Sequence, residues 1–304
     1  MAHSDLKNAM STLSLREPNC LLFNPSGDMA WIREKFQNIS RYLMRISTPW
    51  SDGLNDEVWV KSKAATYRRE DRNLDIFAIE DKEQAAAALN RYLRWEGTTV
   101  DADNMISWTS SPLLALHLAN IKLCIVDTAA LPEGVFLPDM DLIDAYRGFN
   151  ARLQDLKELR TRKHKSLTGS YYFGEYLSQG ALKIGGNCQI VSAQALVDKG
   201  LFLLQPEFCR SMEDTKPQWA NEMTNEELQA VTDIAQLFGP RWRLPMATNL
   251  MALQPRREGD SAILRTLRAT PFTGLMLPSF SSNNANDCRR GKRGVLTVKD
   301  ECGS

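Results

Sequence analysis

Three groups of residues in this chain combine side chains able to do chemistry with positions that a strand or strand end would hold. They are Arg45 within Tyr42-Leu-Met-Arg-Ile46, the cluster Trp108-Thr109-Ser110-Ser111, and Glu175 within Gly174-Glu-Tyr-Leu177. A carboxylate held against a reacting centre stabilises positive charge that develops there. A guanidinium stays ionised and presents a planar fork of donors that suits a pyrophosphate. Neutral hydroxyls orient either partner without cancelling its charge. Each group also has a plain reading: Glu175 as an exposed charge on a sheet edge, Arg45 as a surface residue with its stem packed down, and Ser110 or Ser111 as the N-cap of a following helix.

The surrounding pattern places these residues. Arg41 to Ser47 alternates as a strand and is stopped by Pro49, Asp52 and Gly53. Trp31 to Ile39 reads as a short helix ahead of it, and the Ser- and Asn-rich residues 1–28 as a flexible N-terminal tail. Glu57 to Ser62 and Leu74 to Ile79 are short strands or loops around the charged, solvated stretch Tyr67 to Arg72. Asp81 caps a helix whose stripe of Ala85 to Ala88, Leu89, Tyr92 and Leu93 is core packing. Asn104 to Ser110 is a strand running into hydroxyls, and Ser111 to Ala119 a helix with Pro112 in its first turn. Leu123 to Asp127 is a buried strand. Gly148 to Leu167 is a charged helix whose Arg160, Arg162, Lys163, His164 and Lys165 complement its dipole.

Tyr171 to Leu177 and Gly180 to Ile184 read as two strands joined by a bend, followed by Gln189 to Ser192 and a helix closing at Gly200. Beyond Phe208, the segments Asn225 to Phe238, Arg241 to Leu253 and Ser261 to Leu267 form a helical annex over 209–277. Residues 278–304 read as a disordered tail in which Arg289 to Arg293 has the composition of a nuclear localisation signal.

The order of the Arg45, Thr109-Ser110 and Glu175 segments resembles the Arg, Ser-Thr-Ser and Glu motifs of the ADP-ribosyltransferase superfamily, in the branch that includes cholera toxin. The Trp-Thr-Ser-Ser and Gly-Glu-Tyr-Leu phrases are also similar to those of an uncharacterised fungal domain family. The resemblance covers roughly Arg41 to Phe208 and implies an α+β fold over residues 29–208: mixed or antiparallel split sheets with flanking helices, and Arg45, Thr109, Ser110 and Glu175 lining one cleft. It implies NAD as substrate, with Glu175 as the catalytic carboxylate beside the ribose, Arg45 on the pyrophosphate side, and Thr109 and Ser110 as positioning hydroxyls. The reaction implied is transfer of ADP-ribose or hydrolysis of NAD. A catalytically silent module of the same fold, binding a nucleotide or a protein, is the alternative.

Two departures stand out against the family pattern. Trp108 occupies the place of the first serine, and Phe173 stands where arginine-modifying members carry a second acidic residue, so arginine is expected to be a poor acceptor. The acceptor itself has no motif. Tyr146, Phe149 and Tyr176 are candidates to stack nicotinamide, with core packing as their rival reading, and His117 reads as a packed histidine rather than a catalyst.

Composition bounds the remaining classes. The 304 residues are 43% hydrophobic and 24% charged, which excludes wholesale disorder, and 37 basic residues balance 37 acidic ones, so no global field draws the chain to a polyanion. No apolar run approaches the length of a membrane span and no signal-peptide pattern opens the chain. The six cysteines are scattered singly, without zinc-ligand spacing, and read as reduced thiols of an intracellular protein, cytoplasmic or nuclear. No metal is expected, and the annex is a place for a protein partner.

Overall fold

The computed structural model describes residues 19–96, 104–111, 122–161, 174–204 and 222–253, apart from the side chains at 70 and 71. Along the chain come a 3-10 helix (Gly27–Asn38), β1 (Tyr42–Ser47), β2 (Leu54–Asn55), β3 (Trp59–Lys61), α1 (Lys63–Thr66), α2 (Lys82–Leu93), β4 (Met105–Thr109), β5 (Lys122–Asp127) and β6 (Leu137–Pro138). Then follow α3 (Asp139–Tyr146), α4 (Ala151–Thr161), β7 (Glu175–Gln179), β8 (Ala181–Lys183), β9 (Cys188–Ser192), α5 (Ala193–Asp198), α6 (Leu201–Leu204), α7 (Asn225–Leu237) and α8 (Arg243–Met251).

Leu43 and Met44 are adjacent in β1 and both buried, so this strand must be covered on both faces. It accordingly lies inside a six-stranded sheet of order β6-β7-β4-β1-β5-β9, with a three-stranded sheet β2-β3-β8 beside it. Every described pairing is antiparallel. On one face of the large sheet, Leu43, Ile106, Trp108, Cys124, Val126 and Tyr176 pack with Val60 and Leu182 of the small sheet. The opposite face carries two clusters. Met105, Leu137 and Leu177 pack with α2, α3 and α4 through Leu89, Leu142 and Leu153, while Met44, Leu123, Ile125 and Val191 pack with α5 to α8 through Leu196, Leu204, Ile234 and Leu250. The chain is thus α+β with two antiparallel sheets and flanking helices.

Several expectations are refined by tertiary context. The two strands joined at Gly180 enter different sheets, β7 the large one and β8 the small one. Gly180 makes that change of sheet, with φ of +65° and with Leu21 and the Arg72 carbonyl where a Cβ would stand, at 3.1 and 3.0 Å. The composition of residues 19–28 predicts a flexible tail, yet Leu21 bridges to Gln179 and Phe23 is buried against Phe77. Leu74 to Ile79, open between strand and loop, is a loop holding a 3-10 turn at Ile76–Ala78 capped by Asp75. The helix Asp139–Tyr146 has only eight residues, too few to carry a readable helical pattern. In the annex α7 starts at a capping box of Thr224 and Glu227 and shares one core with the sheet through Leu123 and Ile125. The helix expected over Ser111 to Ala119, His117, Phe173, the basic residues after Thr161, the segment at 261–267 and the tail expected at 278–304 lie outside the described residues, apart from Ser111 itself.

One titratable group at the start of α3 works against its surroundings. Burial pushes the Asp141 carboxyl above its ordinary value, outweighing the opposing pull of Lys35; Asp144 adds to the rise and Lys157 opposes it. The folded chain therefore holds this proton more tightly than the unfolded one, and stability from this group falls as pH rises from the ordinary carboxylate value through the raised one. Asp141→Asn should lose less melting temperature than the parent between pH 4 and pH 7, on the order of a degree or two by thermal scan. Parallel pH profiles for the two proteins would count against this assignment.

Candidate functional site

Glu175 opens β7 directly opposite Thr109, the last residue of β4, and Thr109 in turn pairs with Met44 of β1. Directly paired residues share a face, so Glu175, Thr109 and Ser107 all project to the helix-covered side of the sheet. They form a polar seam between the two apolar clusters of that side, with Met105 and Leu177 on one flank and Met44 on the other.

The hydroxyl that meets the carboxylate belongs to Ser107. Its Oγ donates to Glu175 Oε1 at 2.9 Å, and Tyr92 Oη lies 2.8 Å from the same Oγ. Ser107 has one proton and gives it to the carboxylate, so Tyr92 must be the donor in the second bond. The result is a directed chain from Tyr92 on α2 through Ser107 to Glu175. The other carboxylate oxygen, Oε2, pairs with Arg160 Nη2 of α4 at 2.9 Å, and Arg160 also contacts Asp139 at the start of α3.

Arg45 reaches this cluster from elsewhere. It pairs with Cys124 in β5, so its side chain leaves β1 on the side of Trp108 and the small sheet, opposite to Glu175. Its Nε donates to Asn55 Oδ1 at 2.6 Å, and Nη1 donates to the backbone carbonyl of Ser107 at 2.8 Å. Arg45 and Glu175 therefore do not line one face; they hold the same residue, Ser107, by its carbonyl and its hydroxyl. The alternation of the pleat is the reason, since Arg45 and Met44 are neighbours and only Met44 shares the Glu175 face.

The predicted hydroxyls have different partners. Thr109 is buried, and its Oγ1 accepts from the Ser111 backbone N–H at 2.9 Å, a local cap at the strand end. The Ser110 backbone N–H donates to the Gly174 carbonyl at 2.9 Å and its hydroxyl approaches the same oxygen at 3.4 Å. Trp108 faces away from the seam: it stacks edge-on against Phe136 and donates from Nε1 to Ser178 Oγ at 2.9 Å. Of the aromatic candidates, Tyr146 is fully buried with its hydroxyl donating to the Ile76 carbonyl, and burial, with Asp75 adding to it, pushes that hydroxyl's titration far up. Tyr176 lies in the core on the Trp108 side, and Phe149 is exposed.

Sequence reasoning missed Ser107, Tyr92, Arg160 and Asp139. Ser107 was legible in principle, because it shares the parity of Thr109 in β4. Tyr92 looked like one more member of an apolar stripe. Arg160 was hidden in a basic run at a helix end, and nothing in the sequence links it to Glu175.

Gly174 sets the approach of Glu175. It has φ of +63°, and a Cβ there would stand 2.2 Å from Ser110 Oγ. Gly174→Ala is expected to destabilise the fold by about 1–2 kcal/mol through the left-handed backbone alone. Pairing it with Ser110→Ala relieves the contact but not the backbone term, so the double variant should stay measurably less stable than Ser110→Ala by urea denaturation. Equal stability of those two would show that φ at 174 relaxes freely.

Among the described residues no helix is long and apolar enough to cross a membrane, and no group of three or more His, Cys, Asp or Glu is arranged to hold a metal ion. Comparisons of the chain with family models, curated proteins and solved structures returned no match.

Proposed function

We propose that the seam at Glu175 cleaves the nicotinamide-ribose bond of NAD through an oxocarbenium-like transition state, giving transfer of ADP-ribose or hydrolysis. The observation that carries this reading is the Ser107 hydroxyl donating to Glu175 Oε1 while Arg45 grips the Ser107 carbonyl. A carboxylate fixed by a neutral hydroxyl keeps its charge and loses its rotational freedom, which is what stabilisation of a developing sugar cation requires. In this reading Glu175 is the charged group and Ser107 sets its orientation. Arg45 ties β1 to that serine, while Thr109 and Ser110 shape the strand end beneath the ligand.

A second reading is favoured by a specific contact: Arg160 already occupies Glu175 Oε2. A carboxylate so paired suits a catalytically silent module that binds a nucleotide or a protein partner, the latter also through the annex helices. Incubation with NAD separates the two, since nicotinamide release requires chemistry whereas a thermal shift requires only binding. Free ADP-ribose and modified agmatine are measured from the same reaction, with hydrolysis expected to exceed transfer. Ser107→Ala should reduce turnover by about 10-fold and Ser110→Ala by much less, because only Ser107 touches the carboxylate. A thermal shift without nicotinamide would favour the silent module, and neither signal would retire NAD as the ligand.

A further inference from the structure

Asp139 is fully buried at the first residue of α3, and its Oδ1 accepts no hydrogen bond among the described residues. The fold gains little from such a group, since a buried ion pair is often replaced by apolar side chains without loss. Its ion pair is with Arg160 Nη1, and Arg160 gives Nη2 to Glu175 Oε2 at 2.9 Å. Three ionised groups thus form one chain from α3 through α4 to β7, and their charges sum to one negative.

That sum matters for a site that must attract a cationic sugar. Arg160 alone would fix the Glu175 carboxylate and cancel its charge in the same act. A buried carboxylate on the far side of the guanidinium offsets Arg160 and leaves the negative charge of Glu175 in force, while keeping the guanidinium in place. Arg45, another cation beside Ser107, leaves β1 on the opposite face of the sheet.

We propose that Asp139 and Arg160 are positioning residues for Glu175, with Arg160 fixing the carboxylate and Asp139 restoring the net negative charge that a cationic ligand or transition state needs. This rests on the NAD reading of the preceding section for its kinetic consequence, but not for its electrostatic one. A purely structural role makes a different forecast: each lost charge would harm the fold, and no second substitution would recover ligand recognition.

The experiment compares Asp139→Asn, Arg160→Met and the double variant with the parent. One readout is kcat and KM for nicotinamide release from NAD. The other is calorimetric affinity for a hydroxylated pyrrolidine, a cation at neutral pH that mimics the charged sugar, with Glu175→Gln as the control that abolishes its binding. Asp139→Asn should lower kcat and pyrrolidine affinity by about 10-fold each with KM for NAD nearly unchanged, because it leaves Arg160 uncompensated. Removing Arg160 as well should return both to within about 3-fold of the parent, a rescue that only coupled charges produce. Arg160→Lys, which keeps the charge, should stay closer to the parent than Arg160→Met. A double variant no better than Asp139→Asn, pyrrolidine affinity indifferent to Asp139, or a parent that does not bind the pyrrolidine would each overturn the proposal. If the pyrrolidine pattern holds while no protein releases nicotinamide, the charge balance stands and the NAD reading falls.

Discussion

Glu175→Gln is expected to lower nicotinamide release from NAD by about 100-fold or more while changing NAD affinity little. The substitution is nearly isosteric, so the shape of the site is kept, but the charge facing the developing cation is gone. The local hydrogen bonds sharpen the expectation. Ser107 and Arg160 both donate to the carboxylate, at 2.9 Å each. An amide has one accepting oxygen and one donating nitrogen, so one of these two donors must lose its partner or turn away. Arg45→Ala should be milder and should act on kcat more than on KM, because its guanidinium leaves the opposite face of β1 and reaches the carboxylate only through the Ser107 carbonyl it holds. Steady-state kinetics on both variants, with a thermal shift to report binding, decide the matter. Unchanged turnover in Glu175→Gln would remove Glu175 from the chemistry.

Trp108→Ala should cost about 3–5 kcal/mol of stability, the largest effect of any single substitution at the motif. Trp108 is 2% exposed, packs edge-on against Phe136 and supplies the donor to the buried Ser178 hydroxyl. The truncation leaves a large void and an acceptor without its donor, and both are destabilising in a close-packed interior. Trp108→Phe keeps most of the volume and loses only the N–H, so it should fall well short of the alanine variant. Urea denaturation followed by fluorescence and circular dichroism gives the difference. A Trp108→Ala protein of near-parent stability that fails to recognise ligand would place this ring in the site instead of the core, against the parity of β4.

The motif region shows how far a strand can be read from sequence. β1 was legible from alternation and β4 and β5 from short apolar runs, whereas the strand expected over Tyr171 to Leu177 is observed as β7 over Glu175–Gln179, because strands covered on both faces carry no alternation to fix their ends. Asp81 capping a helix, Gly200 ending one and the amphipathic run after Asn225 were legible for a local reason: capping and helical periodicity depend on residues a few positions apart. The choice of Thr109 and Ser110 as the site hydroxyls followed a three-residue motif, whereas the pleat assigns the contact to Ser107, two residues before Thr109 on the same face.

What the sequence by itself determined was thus the existence and type of most elements, while the grouping of Arg45 with Glu175 came from the family resemblance alone. Only the tertiary structure decided how the two are wired. The strands on either side of Gly180 enter different sheets because a positive φ turns the chain there. Arg45 and Glu175 leave opposite faces because strand order and register, set by contacts 60 or more residues apart, fix which parity is which. The Asp139–Arg160–Glu175 chain joins a short helix, the end of a charged helix and a strand. No local pattern encodes it, since ion pairs across elements leave no periodicity and appear only once packing has brought the charges together.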